Sequence, residues 1–200
     1  MTVVVCLKWL TPSDGDDRFG GISPADSSAL EWGLRAAEAL GQSVTTLTVG
    51  TPAADGALRN AVACGATRAI RIDAPDEVSS VDTAAALAAV INTLDSVSFV
   101  WCGDYSLDRG TGSVPAFLAA QIGARQALGL IDVELDAQGS VRALRRLDGG
   151  RRERLSVAPL AVLSVEGATA VLRRAPLAGS LAAQRLSPEV VPGPVSAHLP

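Results

Sequence analysis

The sequence predicts an α/β fold in which a mostly parallel sheet carries helices on both faces. In residues 2–122, short apolar runs alternate with helical segments, the order typical of parallel strands joined by crossover helices. The strand-like runs are almost entirely apolar, as expected for strands that are covered on both sides. A hydrophobic content of 48% in 200 residues is enough for a sizeable core.

Local patterns predict each element of this first part. Runs rich in β-branched residues indicate strands, and apolar residues three and four positions apart indicate helices. Ser23 and Pro24 are typical of a helix start, and Gly41 and Gly65 of helix ends. In chain order the predicted elements are strand 2–7, helix 25–40, strand 44–49, helix 53–64, strand 68–72, helix 81–94, strand 97–102 and a helix over 117–122.

The second part of the chain, over residues 128–165, has a different residue pattern. Four strands are predicted, over 128–135, 141–147, 152–157 and 160–165. The middle two alternate polar and apolar residues, which indicates a half-exposed antiparallel hairpin, and the last is apolar enough to rejoin the main sheet.

These patterns divide the chain into two parts. Residues 1–166 form the α/β domain, with a β-hairpin excursion over 128–158. Residues 167–200 form an extended C-terminal arm, which we expect to wrap a partner; a disordered tail is the alternative.

A glycine-rich loop over residues 103–116 follows the fourth strand directly. In an open α/β sheet, ligands bind at the carboxyl ends of the strands. Backbone N–H groups of Gly110, Thr111 and Gly112, together with the positive end of the next helix, suit a phosphate. Hydroxyl groups of Ser106, Thr111 and Ser113 add donors. The loop therefore predicts a nucleotide site, with an empty structural turn as the alternative.

Composition limits the classes of function. A net charge of -4 and a pI of about 5.0 argue against nucleic acid as the main partner. No apolar run approaches the roughly 20 residues that span a bilayer, and no targeting signal is visible, so we expect a cytoplasmic location. The cysteines Cys6, Cys64 and Cys102 are expected to be buried free thiols. His198 is the single histidine, which argues against a histidine triad or a zinc site.

Three further features leave alternatives open. Arginines flank the turn at 148–150. They indicate either a hairpin whose arginines are simply solvated or a basic patch that binds an acidic partner. Acidic residues in 14–17 lack the later glutamate of a calcium loop, so no metal site is predicted. Trp101 is expected in the core. Trp9 and Tyr105 lie near strand ends, where an aromatic ring either packs, which is favoured for Trp9, or stacks on a base or flavin. The hairpin arginines are Arg145, Arg146, Arg151, Arg152 and Arg154, and the acidic residues are Asp14, Asp16 and Asp17.

Five segments resemble the β subunit of electron-transfer flavoproteins in order and spacing. They are a first strand that ends in lysine (3–8), a Ser-Pro-x-Asp helix start (23–35), a helix–Gly-Ala junction (57–69), the glycine-rich loop (103–126) and an Asp-Gly-Gly turn followed by a strand (147–162). The resemblance covers residues 2 to about 165. It implies an adenine-nucleotide-binding α/β fold and a β subunit without catalytic residues of its own.

The same resemblance implies cofactors and partners. An α subunit would hold the redox FAD, and this chain would bind AMP, or a second FAD as in electron-bifurcating members. Electrons would pass from a dehydrogenase to that FAD and on to an acceptor. Carried over by position, the nucleotide site comprises Cys6, Ser23, Pro24, Ala25, Asp26, Val49, Gly103, Asp104, Tyr105, Ser106, Leu107, Asp108, Arg109, Gly110, Thr111, Gly112, Ser113 and Val114.

The sequence departs from the family pattern at informative positions. Ser23 replaces an asparagine, Asp104 replaces a lysine, and Ser113 replaces a glutamine. The segment that recognises partner dehydrogenases corresponds to residues 167–174, where Arg173 is retained. These departures indicate a divergent member whose dehydrogenase is not of the fatty-acyl type.

Two other functional classes stay open at this point. One is a homodimeric nucleotide-sensing module of the universal-stress type, although the hairpin and arm after residue 128 argue against it. The other is an enzyme that adenylates a substrate at the same loop. Such an enzyme needs a basic residue near the phosphates, and Arg109 is the candidate within the loop.

Overall fold

Nine strands form one sheet in the computed structural model, which describes residues 1–11, 20–75, 78–108, 110–136 and 140–193. The strands are β1 (Thr2–Cys6), β2 (Ser43–Gly50), β3 (Arg68–Asp73), β4 (Val97–Gly103), β5 (Arg125–Leu135), β6 (Val141–Arg146), β7 (Arg152–Val157), β8 (Ala161–Val165) and β9 (Glu189–Pro192). The helices are α1 (Pro24–Leu40), α2 (Asp55–Cys64), α3 (Ser80–Ile91), α4 (Val114–Gln121) and α5 (Leu177–Gln184).

The sheet is mostly parallel, with the order β7-β6-β5-β8-β4-β1-β2-β3-β9. All neighbours from β5 to β9 along this order run parallel, whereas β6 and β7 form an antiparallel hairpin on β5. The turn between β6 and β7 lies at Asp148–Gly150, and β8 inserts between β4 and β5. The predicted α/β class, the hairpin and the return of the last strand to the main sheet are confirmed.

Helices cover both faces of the sheet because alternate residues of each strand point to opposite sides. On one side, α1 and α2 pack on Val3, Val5 and Trp101. On the other, α3 and α4 pack on Val4 and Val100. Trp101 is fully buried and stacks on Trp32 of α1 at a centroid distance of 6.3 Å, which confirms its predicted core position.

The predicted ends of α1 are also confirmed. Ser23 Oγ accepts a hydrogen bond from the Asp26 N–H at 2.9 Å, which satisfies one of the open donors of the first turn. Gly41 ends the helix in the left-handed conformation at φ 62°. Local sequence therefore determines where α1 begins and ends.

The C-terminal segment contains two elements that the sequence did not predict. Helix α5 packs against α2, and the Arg59 Nε–H donates to the Leu186 carbonyl oxygen at 3.1 Å. Strand β9 pairs in parallel with β3 at the edge of the sheet, where Pro188 before the strand and Pro192 at its end are tolerated. Residues 194–200, with His198, lie outside the described part of the chain.

An ion-pair cluster fixes the start of this segment to α1. Glu31 is 3% exposed and accepts from the Arg173 side chain at 3.0 Å and from its backbone N–H at 3.1 Å. Arg35 donates to the same carboxylate at 2.7 Å, and Glu38 pairs with Arg173 at the surface. Burial alone would raise the pKa of Glu31, but the hydrogen bonds from Arg173 and Arg35 lower it.

Among the helices in the described residues, none combines the length and the apolar character that a bilayer crossing requires.

Candidate functional site

A cleft opens where the carboxyl ends of β1, β2 and β4 meet. Because β1 lies between β2 and β4, the connections on its two sides run in opposite directions, and such a switch point forms a crevice in an open α/β sheet. The cleft holds about 1130 Å³, its open mouth included. Its lining comes from the ends of these strands, the start of α3 and the loop between β4 and α4.

The lining has an apolar part and a polar part. Val49, Val78 and Leu87 contribute apolar side chains from β2 and the region of α3. The loop before α4 contributes hydroxyl groups from Ser106, Thr111 and Ser113. A ligand with a flat apolar ring system and a polar or anionic group fits such a division.

Two glycines give the loop its path. A Cβ on Gly103 would lie 2.7 Å from Asp26 Oδ1 and 3.0 Å from the Asp26 backbone nitrogen, so only glycine lets α1 approach the end of β4 this closely. Gly112 has φ +58°, and a Cβ there would lie 2.5 Å from the Asp104 carbonyl oxygen. The loop therefore folds tightly on itself at the edge of the cleft.

Backbone donors are available along the loop. Within the described residues, the N–H groups of Thr111, Gly112 and Ser113 have no hydrogen-bond acceptor. The Gly110 N–H donates to the Ser106 carbonyl oxygen at 2.8 Å, so it is not a free donor in this structure. The Ser113 hydroxyl donates to Thr111 Oγ at 3.2 Å. The free donors are therefore concentrated just before the N-terminus of α4.

The cleft carries little positive charge. Lys8 is the only lysine or arginine among its described lining residues. Its Nζ lies 2.6 Å from Asp108 Oδ2, so an ion pair joins the residues just after β1 to the loop that follows β4. Both side chains are partly exposed, which leaves Lys8 free to change partner at small cost.

Asp26, in the first turn of α1, contacts the ends of β1 and β4. Its Oδ2 accepts from the Lys8 N–H at 3.2 Å, just beyond β1, and its carboxylate also accepts from the Gly103 N–H at the end of β4. Burial raises the pKa of Asp26 to about 6, although these backbone hydrogen bonds partly oppose the shift. Asp26 therefore connects the start of α1 to the ends of β1 and β4, and it also lines the cleft.

Asp104 does not line the cleft. Its Oδ1 is buried without a hydrogen-bond partner among the described residues. Burial raises the pKa of Asp104, and the negative charge of Glu166 adds to the shift.

The predicted site residues fall into three groups. Those that line the cleft are Cys6, Asp26, Val49, Gly103, Tyr105, Ser106, Thr111, Gly112, Ser113 and Val114. Those described but outside the lining are Ser23, Pro24, Ala25, Asp104, Leu107, Asp108 and Gly110. Arg109 lies outside the described residues, as do Asp14, Asp16 and Asp17.

Sequence reasoning missed part of the lining. The missed residues include Lys8, Thr51, Thr83 and Cys102. Lys8 and Thr51 follow β1 and β2, and the rule that ligands lie beyond strand ends could have found them. Trp9, expected near a strand end, also lines the cleft. Thr83 of α3 gives no such signal, because its place depends on how α3 crosses the sheet.

The comparisons with known proteins agree with this architecture. The family model described as "Electron transfer flavoprotein domain" matches residues 16–191. The chain belongs to the electron-transfer flavoprotein β-subunit family. Among its curated relatives, FixA of Sinorhizobium fredii is 32% identical over 173 residues, which cover 82% of this chain and 60% of FixA.

Two further relatives of this β-family chain carry electron-transfer names. The electron transfer flavoprotein subunit beta of Mycobacterium tuberculosis is 32% identical over 117 residues, 58% of this chain and 44% of that protein. The acryloyl-CoA reductase electron transfer subunit gamma of Anaerotignum propionicum is 34% identical over 143 residues, 63% of this chain and 53% of that protein. The chain thus spans at most 60% of the length of these relatives.

Proposed function

We propose that this chain is the β subunit of a heterodimeric electron-transfer flavoprotein, a carrier rather than a catalyst. A partner α subunit would hold the FAD that accepts electrons from a dehydrogenase and passes them to an acceptor. FAD supplies the redox chemistry, and this chain supplies binding and orientation. The observation that carries the proposal is the cleft at the switch point, with free loop donors, in a chain of this family.

The cleft would hold an adenine nucleotide, AMP or a second FAD. Val49 and Leu87 would contact the base, and the N–H groups of Thr111, Gly112 and Ser113 would bind a phosphate. Lys8 would move from Asp108 toward that phosphate. A single phosphate suits this arrangement better than a pyrophosphate, because Lys8 is the one cationic side chain in the described lining.

Nucleotide content tests this part of the proposal. The purified heterodimer is denatured, and the released nucleotide is identified by chromatography. The Gly112→Ala variant should lose the nucleotide, since the new Cβ collides with the Asp104 carbonyl oxygen. Gly149→Ala is the matched control: Gly149 also has a positive φ, +70°, but a Cβ there meets nothing within 4 Å. Equal nucleotide content in both variants would contradict the assignment of the loop.

The C-terminal segment offers one surface for a partner. Leu177 of α5 is 77% exposed, and Val171 and Leu181 are also exposed. A contiguous exposed apolar patch marks an interaction site, and these exposed side chains lie on one short segment. The inner side of the same segment packs on α1 and α2, so we propose that its outer side contacts a partner.

The hairpin offers a second surface, which we call the arginine face and define as Arg142, Arg146, Arg152 and Arg154. These four side chains are exposed, and strand alternation places them on one side of β6 and β7. Arg146 and Arg152 lie directly opposite each other, an arrangement of like charges that destabilises a sheet. By contrast, Arg145 belongs to the other side, where it pairs with Glu153 at 2.5 Å.

Charge reversal distinguishes a docking surface from a solvated hairpin. Arg152→Glu places an acid opposite Arg146 and should stabilise the isolated chain by about 0.2–1 kcal/mol. If the arginine face binds an acidic partner, the same variant should weaken the heterodimer, and added salt should weaken the unchanged heterodimer. Arg152→Gln should have an intermediate effect. A heterodimer of unchanged affinity would show that the arginines are only solvated.

Co-expression with an α subunit tests the whole proposal. The expected product is a yellow heterodimer with the absorbance spectrum of FAD. A colourless homodimer would contradict it and favour the nucleotide-sensing module. Two flavins in each heterodimer would place the second FAD, not AMP, in this chain.

A further inference from the structure

Two cysteines lie side by side in the floor of the cleft. Strands β1 and β4 are parallel neighbours in which Val5 pairs with Trp101, so Cys6 and Cys102 are the next residues along each strand. Both side chains belong to the same face, together with Val4 and Val100. Neighbouring strands lie about 4.8 Å apart, within the range of about 4.4–6.8 Å that Cα atoms of a disulfide span.

The two thiols are buried but reach the cleft. Cys6 is 8% exposed and Cys102 is 5% exposed, and both line the cleft. The neighbouring Cys6 side chain and burial both raise the pKa of the Cys102 thiol. Both are free cysteines in the structure. Cys64, the third cysteine, lies on the opposite side of the sheet and hydrogen-bonds to the Arg173 carbonyl oxygen at 3.6 Å.

We propose that Cys6 and Cys102 form an oxidisable dithiol that a small hydroperoxide converts to a disulfide. In the first step, one sulfur attacks the peroxide, the O–O bond breaks, and a sulfenic acid and an alcohol (water, for hydrogen peroxide) are formed. In the second step, the other thiol forms the S–S bond and the sulfenic oxygen leaves as water. The two thiols are oxidised by two electrons in total, and the peroxide is reduced by the same two.

The position of the pair gives the modification a consequence. The same β1–β4 junction is held by Asp26, which accepts from the N–H groups of Lys8 and Gly103. A covalent bond between Cys6 and Cys102 would join those two strand ends directly beneath the cleft. The pair does not depend on what the cleft binds, so it stands apart from the proposed electron-carrier role.

Two measurements on the full chain test the proposal. In the first, phenylarsine oxide, which bridges two nearby thiols with loss of water, is added to the reduced protein and intact mass is recorded. One arsenical should bind to each unchanged chain and to Cys64→Ser. None should bind to Cys6→Ser or Cys102→Ser.

In the second measurement, hydrogen peroxide is added, free thiols are alkylated after unfolding, and disulfides are mapped by peptide mass spectrometry. The unchanged chain should lose two hydrogens, keep one alkylatable thiol at Cys64 and yield a Cys6–Cys102 peptide. Both methods report on the unchanged protein, so the result does not depend on whether a variant folds. Failure to bind the arsenical, three alkylatable thiols after peroxide, or a disulfide that includes Cys64 would overturn the proposal.

Discussion

The buried carboxyl group of Asp26 makes the stability of this chain depend on pH. The pKa of Asp26 is raised from 3.8 to about 6, and the residue is 7% exposed. Between these two values, the folded chain holds a proton that the unfolded chain releases. The contribution of Asp26 to the free energy of unfolding is therefore fully present below about pH 4 and is lost as the pH rises through about 6.

The size of the effect follows from the shift. A pKa difference of one unit corresponds to about 1.4 kcal/mol, so a shift from 3.8 to about 6 gives about 3 kcal/mol in total. About 2 kcal/mol of this falls between pH 4.5 and 7.5. The Asp26→Asn variant cannot titrate at this position. It also loses a hydrogen-bond acceptor, but that cost is the same at every pH and cancels when the pH dependence is compared.

Urea unfolding at four pH values from about 4.5 to 7.5, followed by tryptophan fluorescence, measures the effect. The free energy of unfolding of the unchanged chain should fall relative to that of Asp26→Asn by about 2 kcal/mol across this range. Asp95→Asn, at an exposed position, controls for the loss of one carboxylate. Parallel curves for the unchanged chain and Asp26→Asn, within about 0.5 kcal/mol, would refute the account of Asp26.

Two further predictions concern packing around α1. Gly103→Ala should destabilise the chain by about 1–3 kcal/mol in urea unfolding, because the new Cβ meets Asp26 and the start of α1, whereas Gly21→Ala, with nothing within 4 Å, should have little effect. Glu31→Gln should lower the free energy of unfolding by about 1–3 kcal/mol, because the buried carboxylate that pairs with Arg173 is lost. The same variant should expose residues 167–175 to limited proteolysis. Glu38→Gln, which changes the exposed partner of Arg173, should change the free energy of unfolding by less than about 1 kcal/mol. Equal sensitivity of the two glutamate variants would contradict the latter.

Much of the fold could be predicted from sequence because its signals are local. An apolar run followed by glycine identifies β4 and its loop, and Ser23 with Gly41 sets the limits of α1. Helix α5 was not predicted because its sequence, rich in alanine and glycine, gives no clear apolar periodicity, and β9 was not predicted because it is short and contains proline. Strand β9 is four residues long, and it is a strand because β3 presents an open edge, which is a property of the sheet and not of the segment.

The candidate site shows the same division between local and non-local information. Loop residues such as Thr111 could be predicted because the loop follows its strand directly. Cys6 and Cys102 are 96 positions apart by number, and nothing near either one indicates the other. They meet because β1 inserts between β2 and β4, and the register Val5–Trp101 then sets them side by side. Packing of the whole sheet determines the strand order. For this reason the residues of the cleft could be predicted strand by strand, whereas their contacts across β1 had to come from the structure.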